Sequence, residues 1–130
     1  MAPLNILVVE DDQAMGSFLV DCLQEGRGHK VVIAGSIAES EKETNAPGFL
    51  PDVILHDYQF PDGTGPGAVL MLRNRFPNAK IIGMTGDSLE TPVRRLEFLA
   101  AGADDFITKP FLDIKELVNA VETPRKEQTA

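Results

Sequence analysis

The chain has no tryptophan, a single tyrosine and a single cysteine. It also has no apolar run approaching the roughly 20 residues a membrane-crossing helix needs. One cysteine, Cys22, excludes an internal disulfide framework and fits a reducing compartment. Basic residues are scarce too: 12 Lys and Arg stand against 20 Asp and Glu, for a formal charge of -8. That balance excludes the clustered cationic footprint that nucleic acids and anionic membranes select. The opening residues, MAPLNILVVE, lack the positive stretch of a signal peptide, so the cytoplasm is the expected compartment. Internal repeats and low-complexity tracts are likewise missing.

What remains is the composition of one ordinary domain, with 43% apolar residues in 130 positions, enough for a core without staples. Five short apolar runs, at 4–9, 31–34, 53–55, 80–84 and 105–107, alternate with segments of helical period. Several runs are apolar at consecutive positions, as parallel strands covered on both faces require. Met15, Phe18, Leu19, Cys22 and Leu23 form one helical stripe, and Val69, Leu72 and Phe76 another. Val93, Leu96, Leu99 and Ala100 form a third, and a last helix is predicted over 114–121. The second helix has the weakest apolar face, with Ile37 and Ala38 inward.

Boundary signals agree. Ser36 with Glu39 reads as a capping box, and Thr91-Pro92 as a cap before a first-turn proline. Gly26, Gly28 and Gly102 follow helices where a left-handed residue is wanted. The repeated strand-helix alternation predicts an α/β fold: a doubly wound, five-stranded parallel sheet with five helices in a three-layer α/β/α sandwich. The domain is expected over 1–123, with a polar tail or linker stub at 124–130.

The polar outliers collect at strand ends. Glu10 and Asp11 end the first strand, Asp57 the third and Thr85 the fourth, while Lys109 follows the fifth. Open α/β sheets bind ligands beyond the carboxyl ends of their strands, so these residues are expected to share one cleft. Carboxylates crowded together need a cation or a proton. Mg²⁺, or Mn²⁺, suits an all-oxygen site that keeps waters. Asp57 is the candidate nucleophile, with Lys109 supplying positive charge and Thr85 a hydroxyl donor.

Four segments carry a family resemblance: ILVVEDD at 6–12, PDVILHDYQFPDGTG at 51–65, IIGMTGD at 81–87 and AGADDFITKPF at 101–111. In this order and spacing the chain resembles the receiver (CheY-like) domain of two-component response regulators, over residues 4–121. The resemblance implies a flavodoxin-like strand order 2-1-3-4-5. It implies Asp57 as phosphoacceptor, Asp11 as direct metal ligand, Glu10 as a ligand through water, and the Gln59 backbone carbonyl as a further ligand. Thr85 would be the switch hydroxyl, Lys109 the lysine beside the phosphoryl group, and Phe106 the aromatic switch. Lys109-Pro110 would be a cis bond. Gln59 and Asp87 would tune dephosphorylation.

By the same resemblance the protein is not an enzyme in the usual sense, but a phosphoacceptor that promotes its own phosphorylation and dephosphorylation. The donor would be a phosphohistidine on a sensor histidine kinase or phosphotransfer domain, possible also within a phosphorelay. The phosphate would remodel a face made by the fourth helix, fifth strand and fifth helix, read by an unknown downstream protein. Arg94 and Phe98 are expected on that face, and the chain is expected to be a monomer or weak dimer with no direct nucleic-acid or membrane contact.

Other residues read as structural. Asp12 is a helix N-terminal charge, Asp62 a turn residue, and Gly63, Gly65 and Gly67 serve backbone geometry. His29 is expected at the surface or strand entry, and His56 in packing away from the Asp57 carboxylate. Gly83 and Gly86 suggest a permissive loop around Thr85. Two rival readings stand beside the switch: a receiver-shaped scaffold that binds without phosphate, and an aspartyl-phosphate hydrolase, which Gln59 disfavours because such enzymes usually place a second aspartate there.

Overall fold

The structure, a computed structural model, describes residues 2–86, 88–111 and 113–126. The chain runs β1 (Asn5–Val9), α1 (Gln13–Val20, prolonged by a π turn over Asp21–Glu25), β2 (Lys30–Ala34), α2 (Ile37–Thr44) and β3 (Val53–Asp57). Then come β4 (Gln59–Phe60), β5 (Gly63–Thr64), α3 (Gly65–Arg75), β6 (Lys80–Gly86), α4 (Thr91–Ala101), β7 (Asp105–Lys109) and α5 (Ile114–Glu122). The parallel sheet has the order β2-β1-β3-β6-β7, which is 2-1-3-4-5 when its own strands alone are counted. The sequence did not announce β4 and β5, a two-residue antiparallel ladder of Gln59 with Thr64 and Phe60 with Gly63.

Two apolar layers explain the consecutive apolar positions. Ile6 and Val8 of β1 face Leu19 and Leu23, with Leu117 and Val121 of α5. Leu7 and Val9, pointing the other way, join Val69, Leu72 and Phe76 of α3 and Phe98 of α4. β1, β3 and β6 are buried on both faces, so alternation within these strands disappears.

The fourth helix is rolled relative to its predicted stripe. Val93 and Leu96 are 59% and 63% exposed, whereas Phe98 is fully buried. The cause lies beneath it. A Cβ on Gly83 would sit 2.5 Å from the Phe98 ring, and one on Gly65 would collide with both that ring and the Asp57 carbonyl. The two glycines open a slot that only a flat ring fills. Phe98 is therefore not a solvent-face residue, and Gly83 makes room for packing rather than loosening the loop.

Caps follow the sequence with two exceptions. Asp12 Oδ1 accepts from the amides of Ala14 and Met15, and Ser36 Oγ accepts from Glu39 while the Glu39 carboxylate takes the Gly35 amide. Asp62 does more than turn the chain. Its carboxylate accepts from the amides of Ala38 and Ile37, which hold it below the ordinary carboxylate range and tie the small ladder to α2. Thr91 does not cap α4; its hydroxyl donates to the Gly86 carbonyl and accepts from the Ser88 amide. Gly28 and Gly102 have positive φ of 79° and 112°, but Gly26 stays right-handed, because the π turn carries its amide to the Asp21 carbonyl.

The amino edge of the sheet is closed by charge. His29 precedes β2 as expected but is 2% exposed, not on the surface. Its Nδ1 accepts from the Leu4 amide at 3.0 Å, so Nε2 carries the proton and donates to Glu122 at 2.8 Å. Arg27 grips the same carboxylate through Nε and Nη2 at 2.8 and 2.6 Å. Lys80, 8% exposed, donates to the Ala120 and Thr123 carbonyls at the end of α5, a favourable place for a cation. Arg125 lies in the stretch read as tail; it donates to Asp104 and to the Pro77 carbonyl.

Two outcomes are expected. Gly83→Ala should lower unfolding free energy by about 1–3 kcal/mol in urea titrations, from overpacking against the ring, and Phe98→Leu should recover much of that loss. Glu122→Ala should cost about 1–3 kcal/mol at neutral pH by stranding the buried His29 donor. The bond with Arg27 is the main reason the Glu122 carboxyl falls to about 2 from 4.5. Its depressed value makes its contribution complete above pH 4.5 and progressively lost as pH falls toward 2, so the gap between variant and wild type should close across that window.

Candidate functional site

Parallel register lines up the strand ends. Val9 lies opposite Ala34 and His56, Asp57 opposite Met84, Thr85 opposite Thr108 and Gly86 opposite Lys109. Residues far apart in sequence therefore emerge along one edge. Glu10, immediately after β1, is 2% exposed, and its Oε1 accepts from Lys109 Nζ at 2.6 Å. The same ammonium lies 3.2 Å from Asp57 Oδ1.

The electrostatics are those of a crowded anionic site. Burial pushes the Glu10 carboxyl up to about 7, against the pull of Lys109 and with added repulsion from Asp57. Burial works to lower the Lys109 value, but its bond to Glu10 and the charge of Asp57 prevail and hold it raised. Carboxylate oxygens of Glu10, Asp11 and Asp57 all lie within 4.8 Å of one another. Glu10 Oε2 is buried without a hydrogen-bond partner. An orphaned carboxyl oxygen among three converging acidic side chains fits a hard cation, which would also offset the burial that raises the Glu10 value. Asp12 is turned into its capping role and stands outside this cluster. An open cleft of about 570 Å³ leads from Glu10 and Asp11 past Ser17 and Asp21 to Glu39.

Thr85 is 1% exposed at the end of β6. Phe106 is half-buried on β7, its ring 5.9 Å from that of Phe98. Gln59 is exposed on β4, and Lys109-Pro110 is cis. Asp87 lies outside the described residues. His56 is fully buried with its ring edge-on to Phe60 at 5.2 Å. Its Nδ1 donates to the Asp57 carbonyl at 2.8 Å, leaving Nε2 unpartnered, and burial draws its value down to about 4. A neutral packed histidine results, as the strand alternation indicated.

Sequence reading missed a group beside Thr85. Arg94, expected at the surface, is half-buried: Nη1 donates to Thr85 Oγ1 at 3.1 Å and its guanidinium lies 4.3 Å from the Tyr58 ring centroid. Tyr58 in turn donates to Glu97, whose carboxylate pushes the phenol up. Taking the inward stripe of α4 from Phe98 instead of Val93 would have put Arg94, four residues earlier, on the site side.

Comparisons with known proteins bear on this arrangement. A family model described as a response regulator receiver domain matches residues 6–122. The swarming motility regulation protein RssB of Serratia marcescens is 36% identical over 120 residues, covering 92% of this chain and 52% of that protein. The chain spans about half the length of the curated relatives it matches. A CheY-like receiver domain protein from Methanospirillum hungatei JF-1 aligns with a TM-score of 0.78 at 30% identity, covering 93% of this chain and 92% of that one. A response regulator protein from Burkholderia pseudomallei, solved with a phosphorylated aspartic acid, a calcium ion and citrate, aligns at 0.81 and 25% identity, covering 92% and 67%. Among the described residues, no helix is long and apolar enough to cross a membrane.

Proposed function

The chain belongs to the response regulator receiver domain family, and on that footing we propose that Asp57 accepts a phosphoryl group from a phosphohistidine. The donor is a sensor histidine kinase or a phosphotransfer domain. A carboxylate oxygen of Asp57 bonds to phosphorus as the bond to the donor imidazole breaks, the electron pair leaving with the ring nitrogen. The observation that carries the reading is Lys109, whose ammonium is shared by Glu10 and Asp57 at the sheet edge. Held there, it faces the charge that the incoming group brings.

The carboxylates of Asp11 and Asp57, Glu10 through water, and the Gln59 backbone carbonyl would hold Mg²⁺, or Mn²⁺ in its place. When bound, the cation neutralises charge on the transferring group and helps orient it. Thr85 donates its hydroxyl to a phosphoryl oxygen once the group sits on Asp57, and Phe106 follows by ring movement, since it lacks a hydroxyl of its own. Gln59 and Asp87 set how long the acyl phosphate survives attack by water. The phosphate adds about -1.5 to -2 units of charge. That charge reshapes the face of α4, β7 and α5, where exposed Val93 and Leu96 take the contact role first expected of Arg94 and Phe98. A downstream protein reads that face.

Incubation with acetyl phosphate and Mg²⁺ should add the mass of one phosphoryl group, stable in acid and labile in base. Asp57→Asn should show none, and chelation should abolish the reaction. An adduct that persists in Asp57→Asn would sink the assignment. Mg²⁺ should also raise the melting temperature by mass action on the folded state, and Asp11→Asn should remove most of that rise; an undiminished rise would place the cation elsewhere.

A further inference from the structure

The Thr85 hydroxyl is deeply buried, and among the described residues its sole hydrogen-bond partner is Arg94. A guanidinium donates and never accepts. In this pair the threonine oxygen is therefore the acceptor, and its own proton is left over. Nothing described around it takes that proton. A buried donor left unsatisfied carries a cost that an arriving anion removes, and Asp57, where the phosphoryl group would land, ends the neighbouring strand β3.

From this geometry we infer that Arg94 is a positioning residue for phosphoryl transfer to Asp57, acting through Thr85. It occupies a lone pair of the hydroxyl, so the O–H is free to donate into the pocket. It also sets a full positive charge behind the oxygen, which polarises that bond in a poorly solvated place. The side chain is itself fixed at two levels: its guanidinium rests on the Tyr58 ring, and the Tyr58 hydroxyl donates to Glu97, one turn further along α4. Tyr58 follows Asp57 directly, so the clamp joins the reactive strand end to the fourth helix. The inference rests on Asp57 being the phosphoacceptor.

The test uses the full chain, acetyl phosphate and Mg²⁺, with initial phosphorylation rates read by mass for wild type, Arg94→Met, Arg94→Lys, Thr85→Ala and the double variant Arg94→Met/Thr85→Ala. Methionine keeps an apolar stem against Tyr58 without the donor or charge. Arg94→Met should slow phosphorylation about tenfold, with little change in melting temperature, while Arg94→Lys keeps most of the wild-type rate. In the Thr85→Ala background, Arg94→Met should cost less than about twofold more, because the pathway is already cut. Two results would overturn the inference while leaving Asp57 as acceptor: a wild-type rate in Arg94→Met, or an equal loss in both backgrounds. If wild type itself gains no phosphoryl group, the reading of Asp57 fails first, and this inference with it.

Discussion

One ammonium group shared between two carboxylates organises the functional edge of this molecule. Lys109 arrives at the end of the last strand, Glu10 follows β1, and Asp57 ends its neighbour β3. Without that cation, two anions would be packed together with no compensation in a poorly solvated place. With it, the site stays anionic and short of one partner, as the bare Glu10 oxygen attests. The parallel register brings these groups together into a charge problem that Lys109 only half resolves. A site left in that condition is ready for a further cation and then for a highly charged substrate group.

Much of this was legible in the sequence because its causes are local or periodic. Runs of Val and Ile without alternation specify strands covered on both sides, and polar residues that end such runs must collect at one edge. Glu10, Asp11, Asp57, Thr85 and Lys109 could be placed together on those grounds. The capping residue Ser36 was legible too, since it acts on an amide three positions away; Asp12, read as a helix N-terminal charge, also caps α1.

What escaped depends on contacts between distant segments. The stripe Val93-Leu96 has the helix period, yet α4 is rolled to bury Phe98, a choice made by Gly65 on α3 and Gly83 on β6. No window along α4 contains that information. Arg94 follows from the same roll, and so its link to Thr85 was invisible as well. The sequence puts His29 at the surface or strand entry; it does enter β2, but its burial was hidden because its two partners, Leu4 and Glu122, lie at opposite ends of the chain. The small ladder of β4 and β5 is too short to carry a pattern.

The chain's single aromatic hydroxyl has a use that its position alone confers. Tyr58 lies directly after Asp57, beneath a guanidinium and bonded to a carboxylate, and there is no tryptophan to outshine it. Its near-ultraviolet absorbance and emission depend on the charges against its ring and on the bond at its oxygen. The protein thus carries a built-in optical probe at the border of its acidic pocket, so events there can be followed in real time without attaching a dye.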